Sequence, residues 1–206
     1  MVQTASPPRA LARRAEILRR AAAVFRRKGF HAAGMREIAD GLGLRPGALY
    51  YYFRSKEDLL HACQDISLDL LIRRAREIAR SRAPADERFH ALVREHLEAT
   101  LDELGGSAAH LEFRSLPPDR FRDVVAKRDV YEGWVRRILR DGVREGAFRP
   151  LDAKLTAMTL LGALNWTVVW WRPEGRWTPG DLVDGFAETF LRGIRPGRRG
   201  REGDDA

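Results

Sequence analysis

Apolar side chains recur at intervals of three, four and seven along most of the chain. Glycine, proline and serine interrupt them, which predicts a string of amphipathic helices. The first stripe, Ile17, Ala21, Val24 and Phe25 within residues 9–28, runs among arginines and stops at Gly29. Met35, Ile38, Ala39 and Leu42 make a short second helix that Gly41 and Gly43 end. Gly43 gives the backbone freedom that a tight turn needs, and Leu44 can cover a core shared by the second and third helices. Pro46 opens that third helix at a position where its ring is preorganised, and Ala48, Leu49, Tyr50, Tyr51, Tyr52 and Phe53 come after it. Ser55-Lys56-Glu57-Asp58 has capping-box spacing and starts a fourth helix, expected to reach about residue 81.

Two short helices joined through a glycine turn read as a helix-turn-helix. The first turn of its second helix presents open amides, Arg45, Pro46 and the small Gly47, with Tyr50 and Tyr51 on the same helix, a surface suited to phosphates and base edges. Further along, Pro84 and Asp86 predict a loop and N-cap for a helix over residues 87–104. A short helix over 110–116 is stopped by Pro117-Pro118, and long helices are expected over 119–145, 151–171 and 181–193. The 151–171 segment is apolar nearly all round and must be covered on several sides. No alternation of β-branched and polar residues suggests a strand, so the fold class is all-α with about nine helices.

Charge changes the picture, because it is unevenly divided. Residues 1–56 hold 12 Lys and Arg against 3 Asp and Glu, a balance of +9, whereas the whole chain carries +8. All of the excess lies in the first quarter, where it would steer a polyanion and make its binding fall with salt. A GC-rich genome would explain the arginines but not their missing acidic partners here. With 206 residues and 44% hydrophobic content the chain can bury a real core. No 18-residue uncharged run and no cleavable leader is present, so a cytoplasmic protein without membrane contact is expected. The single Cys63 excludes an internal disulfide framework and a cysteine-based zinc site.

The segment Gly29-Phe30 followed by MREIADGLGLRPGALYYYFRSKEDLL resembles the DNA-binding domain of the TetR family of bacterial transcriptional regulators, without a gap from about Leu11 to Leu60. The resemblance implies a double-stranded operator as partner and a homodimer. It also implies DNA-contacting roles for Arg13, Gly34, Met35, Arg45, Pro46, Gly47, Tyr50, Tyr51 and Lys56. Two positions depart from the family pattern. Ala33-Gly34 replaces the usual hydroxyl residue, and Arg45 stands where Ser is frequent, which leaves the target sequence open.

No catalytic or metal-binding constellation is expected, and no cofactor. His110-Leu111-Glu112 lacks the Cys-x-x-Cys partner of zinc deaminases, and His90 and His96 are six apart, which keeps them off one helix face. Residues 105–172 instead combine wide aromatic walls with a few polar groups, as a pocket for a long, partly apolar, anionic molecule would. HLEFRSLPPDRF and LLGALNWTVVWWRPEGRWTP resemble the C-terminal domain of TetR-type repressors that answer to acyl-CoA thioesters. That resemblance implies an acyl-CoA-like effector, with Arg114, Arg137 and Arg172 on CoA phosphates and Trp134, Trp166 and Trp170 on the acyl part or the adenine ring, beside the pocket's own His110, Phe113 and Asn165. The expected organisation is a disordered arm (1–8), a helix-turn-helix domain (9–56), a ligand-binding and dimerisation domain (57–193) and a disordered tail (194–206). A helical small-molecule-binding or enzyme-like protein with a basic head for another acidic partner is the alternative.

Overall fold

The structure is a computed structural model that describes residues 7–101 and 112–196. Its elements are α1 (Pro7–Lys28), α2 (Met35–Asp40), α3 (Pro46–Tyr52), α4 (Lys56–Arg80), α5 (Ala85–Leu101), a 3-10 turn (Glu112–Ser115), α6 (Pro118–Arg144), α7 (Ala153–Trp170) and α8 (Pro179–Ile194). No strand occurs among the described residues.

The signals in the sequence produce the expected ends near the head. Gly43 adopts φ 63°, which lets the Leu44 N–H reach the Ala39 carbonyl at 2.9 Å and turns α3 back onto α2. Arg45 and Pro46 occupy the N-cap and first turn of α3. Ser55 Oγ accepts from the Asp58 N–H at 3.2 Å, but the reciprocal bond is displaced by one residue: the Asp58 carboxylate accepts from the Arg54 N–H at 2.9 Å.

Several boundaries differ from expectation. α1 begins at Pro7 rather than residue 9, because proline is tolerated where helical N–H groups have no intrahelical partner anyway. α5 begins at Ala85, since the Pro84 carbonyl accepts the Arg88 N–H at 3.0 Å; Asp86 sits inside the first turn and pairs with Arg195. α8 begins at Pro179 because Thr178 and Asp181 form a reciprocal capping box, a Thr-x-x-Asp pattern that sequence reading missed. The short helix expected over 110–116 is a 3-10 turn among the described residues, and His110 lies outside them. At the far end Ile194 is buried and its carbonyl accepts the Arg149 N–H at 2.8 Å, so the last helix runs one residue further than expected; the expected tail lies outside the described residues beyond 196.

Two hydrophobic cores form, and α4 passes through both. Ile17, Val24, Phe25, Ile38, Leu49, Phe53, Leu59 and Leu60 fill the core of the head, which also takes in Leu68 of α4 and Leu116 and Val124 from around the start of α6. Leu71 onward belongs to the second core, with Phe89, Leu92, Leu97, Val135, Ile138, Phe148, Leu160, Leu164 and Leu191. At 25 residues α4 is about 37 Å long, so one rigid rod spans both units. α6 lies along it. Polar ties fasten the seam: Arg120 to Asp58, His61 to Asp123 at 4.0 Å, and Lys127 to Asp69 at 2.6 Å and to Asp65. Cys63, within the head core, has its thiol pushed up to about 12 by burial and is therefore inert.

α7 is apolar on every side and is not covered on every side. Ala157, Leu160 and Leu164 enter the core, whereas Leu155, Met158, Trp166, Val169 and Trp170 stand exposed along one stripe.

Candidate nucleic-acid interface and effector cavity

The head presents α3 outward. Leu49 is its fully buried anchor, and Arg45, Pro46, Gly47, Tyr50 and Tyr51 are exposed around it. Tyr51 is 85% exposed and meets Tyr52 edge to face at 5.3 Å. With Tyr50 half exposed beside it, Tyr51 places two adjacent aromatic rings on the surface of the head, as a contact surface would. Gly34 caps α2 in an extended conformation with no side-chain bond, as expected from the missing hydroxyl. With six and seven residues, α2 and α3 are too short to build much dipole, so phosphate attraction falls to side chains.

Those side chains differ in how far the fold already engages them. Arg36, Arg45 and Arg54 are exposed. Arg27 and Lys28 are spent on Glu37, whose carboxyl is held below its ordinary value by the hydrogen bond from Lys28 and by Arg27. Arg13 pairs with Glu16 at 2.6 Å and reaches the Leu42 carbonyl at 3.4 Å, while Arg14 lies over the Phe53 ring at 4.5 Å. Met35 is half-buried against the head core. Lys56 serves the fold directly: its ammonium donates to the carbonyls of Phe30 and His31 at 3.0 and 3.1 Å and sits 4.5 Å above the Phe30 ring.

Of the nine residues expected to hold an effector, His110 lies outside the described residues, and the other eight are not brought together. Trp134 lies between the guanidinium groups of Arg80 and Arg137, at 5.9 and 5.5 Å. Trp166 and Trp170 are on the exposed stripe of α7, with Trp170 edge-on to Trp177 at 6.1 Å. Arg172 closes α7 by donating to the carbonyls of Val169 and Trp171. Arg114 is exposed, and Phe113 packs against the head core.

A cavity of about 260 Å³ does form, between α4, α5, α6 and α7, lined by Leu68, His96, Arg128, Asp129, Tyr131, Glu132, Met158, Leu161, Gly162 and Asn165. Asn165 alone of the eight described residues lines it. His96 is central: Nδ1 meets the Tyr131 hydroxyl at 3.0 Å, the rings stack, and the Asn165 amide hydrogen-bonds the imidazole. Sequence reading weighed His96 only as a metal ligand. The available signal was a histidine placed on the otherwise apolar stripe of Phe89, Leu92, Val93 and Leu97, where it must be buried with a partner. Among the described residues no cluster of His, Cys, Asp and Glu could hold a metal ion, and no helix is long and apolar enough to cross a membrane.

Burial drives the His96 imidazole down to about 4, so it is neutral at pH 7. A group depressed on folding is proton-free in the native state while the unfolded chain takes up protons below pH 6.5. Its contribution is therefore complete above that value and is lost as pH falls toward 4. Between pH 7 and pH 5 the expected loss is about 2 kcal/mol. Urea unfolding at the two pH values should show it, and His96→Asn should flatten the difference.

Comparison with known proteins agrees with both halves of this geometry. Residues 17–63 match the model for bacterial regulatory proteins of the tetR family, and residues 82–194 match a tetracyclin repressor-like C-terminal domain. The chain is 33% identical to the HTH-type transcriptional repressor KstR2 of Mycobacterium tuberculosis over 193 residues, 88% of this chain and 92% of the other. It is 26% identical to the fatty acid metabolism regulator protein of Bacillus subtilis, across 76% and 81% of the two chains. The solved structure of the ketosteroid transcriptional regulator KstR2 of Mycobacterium tuberculosis superposes with a TM-score of 0.79 at 31% identity, covering 90% and 96%. An outward-facing α3 on a net-basic head, a helical second domain with its own cavity, and matches that span both therefore lead to one statement: the chain belongs to the TetR family of helix-turn-helix transcriptional regulators.

Proposed function

We propose that the protein is a cytoplasmic homodimeric repressor that leaves its operator when an acyl-CoA thioester, its acyl part in the cavity, binds between α4, α5, α6 and α7. The observation that carries this reading is the course of α6. Val124, near its start, sits in the core of the head, and Arg128 and Tyr131, one and two turns later, form the cavity wall. Whatever repositions α6 in the cavity acts on the head through the same rigid element.

The cavity's lining suits the acyl part. Leu68, Met158, Leu161 and Gly162 give an apolar wall, and His96, Tyr131 and Asn165 give hydrogen-bonding groups for a thioester carbonyl. Its volume of about 260 Å³ is too small for a whole coenzyme, so the nucleotide would lie outside, near Arg114, Arg137 or Arg172. The lipid-linked names of the relatives support the same class. The exposed stripe of α7, with the half-buried Phe186 and Phe190 of α8, would supply apolar surface for a two-fold interface, which would set two α3 helices about 34–36 Å apart on a near-palindromic site. Arg13, Gly34, Met35, Arg45, Pro46, Gly47, Tyr50, Tyr51 and Lys56 would form the DNA-facing surface.

Fluorescence polarisation with DNA from upstream of its own and neighbouring genes tests the reading. Binding should weaken at least ~10-fold between ~50 and ~200 mM salt. Octanoyl-CoA or a ring-bearing acyl-CoA should release the DNA where free CoA does not. Release by none of a broad thioester panel removes the thioester and leaves the regulator.

A further inference from the structure

Positive charge is concentrated in the head, yet the second domain has a concentration of its own. Residues 1–56 carry +9 and the whole chain +8, so the remainder sums to −1. Within that near-neutral remainder, six exposed arginines gather where α4 and α6 run side by side. Trp134 fixes the place: the guanidinium carbons of Arg80 on α4 and Arg137 on α6 lie 5.9 and 5.5 Å from the centre of its ring. Arg73 and Arg76 precede Arg80 by seven and four residues, and Arg140 and Arg144 follow Arg137 by three and seven, so each helix contributes a row on one face.

Carboxylates do not cancel the two rows. Arg73, Arg76, Arg80 and Arg140 form no ion pair among the described residues. Glu77 turns to Arg74 at 3.9 Å, and Asp65 and Asp69, earlier on α4, are taken by Lys127. Asp141 stands within the α6 row, but Arg88, Arg137 and Arg144 share it at 4.0, 3.7 and 2.9 Å, and Glu145 closes on Arg88. Trp134 meanwhile holds two like charges on one ring, which lowers the cost of ordering them for a ligand.

We propose that this surface binds a small anion with several clustered phosphate groups, at a site separate from both the effector cavity and the DNA-reading head. Phosphate oxygens accept parallel bonds from the guanidinium fork, and arginine is the side chain best shaped to give them. Size chooses among the polyanions. Each row spans about 10 Å, and packed helices stand about 8–10 Å apart, which matches a di- or triphosphate. A stable protein interface takes about 800 Å² from each side, several times this patch. The operator is out of reach, since Arg76 lies about 30 Å beyond Lys56 along α4.

The test uses the full chain, calorimetry at a fixed salt concentration, and tripolyphosphate, ATP, CoA and inorganic phosphate as probes. Tripolyphosphate should bind at least ~10-fold more tightly than inorganic phosphate, because several of its charges meet guanidinium groups at once. Arg76→Gln/Arg140→Gln should lose ~10-fold or more of that affinity with its thermal unfolding unchanged, whereas Arg36→Gln/Arg54→Gln, on the head, should keep it. Intrinsic fluorescence locates the ligand: tripolyphosphate should change it in the wild type, and Trp134→Phe should lose the change. Relative strength separates the sources of the phosphates, and each of the following supports the site. ATP tighter than tripolyphosphate assigns it to a nucleotide, CoA tighter than both assigns it to the nucleotide end of a thioester, and ATP and CoA no tighter than tripolyphosphate assign it to phosphates alone. No tripolyphosphate binding by the wild type, or binding no tighter than that of inorganic phosphate, overturns the proposal. So does an equal loss in the two double variants, or a fluorescence change that is absent from the wild type or survives Trp134→Phe. None of these outcomes bears on the effector cavity, whose own probe is the release of DNA by acyl-CoA.

Discussion

Alanine at Tyr51 should lower affinity for the operator by ~10- to 100-fold and leave the melting temperature within about 1 °C of the wild type. The two halves of this expectation have one cause. A side chain that is 85% exposed, edge to face with Tyr52, contributes little to the fold. Whatever it contributes must come from outside the protein, and a good side-chain contact in a DNA groove is worth about 1–3 kcal/mol. Lys56→Ala should behave differently. Its ammonium ties the start of α4 to the carbonyls of Phe30 and His31, so its removal should weaken DNA binding and lower the melting temperature together. Polarisation with operator DNA, paired with thermal unfolding of each variant, separates the two. Tyr51→Ala binding as tightly as wild type would remove α3 as the reader.

Gly142→Ala should destabilise the fold by about 3 kcal/mol, large for the addition of one methyl group. A Cβ at this position would fall well inside contact distance of the Phe148 ring. That ring cannot yield, because it is buried, edge-on to Phe89 at 6.1 Å, and held by the Phe148 N–H donating to the Gly142 carbonyl at 3.0 Å. Gly142 also lies one position from Asp141, where Arg88, Arg137 and Arg144 converge on the end of α6, so the helix cannot slide to make room. Urea unfolding of Gly142→Ala and of Gly142→Ala/Phe148→Leu checks the mechanism. Trimming the ring should recover part of the loss, and a double variant no better than the sum of the two singles would refute the clash.

The head was legible because its determinants are local. Gly43, Pro46 and Ser55 fix turns and caps within four residues of themselves, and Leu49 and Ile38 fall at the helical spacing that buries them. Three tyrosines in a row also announce an exposed aromatic surface, since one helix cannot bury three consecutive rings on a single face. The second domain was legible as helices and not as a site. Tryptophans and arginines between residues 105 and 172 share a stretch of sequence, but a helix sends successive side chains in directions 100° apart. Trp134 therefore faces Arg80 and Arg137, Trp166 faces outward, and Arg172 closes a helix end.

The division between the two sources of information comes from range. By itself the sequence determined the all-α class, the helix-turn-helix with its glycine turn, and the concentration of positive charge in the first quarter of the chain. Each of these depends on spacing or on a sum. Only the tertiary structure decided that α4 serves two cores, that His96, Tyr131, Arg128 and Asn165 meet at one cavity, and that Phe113 belongs to the head's side of the molecule. His96, Arg128 and Asn165 come from three different helices, and the angle at which those helices cross is set by the summed packing of both cores.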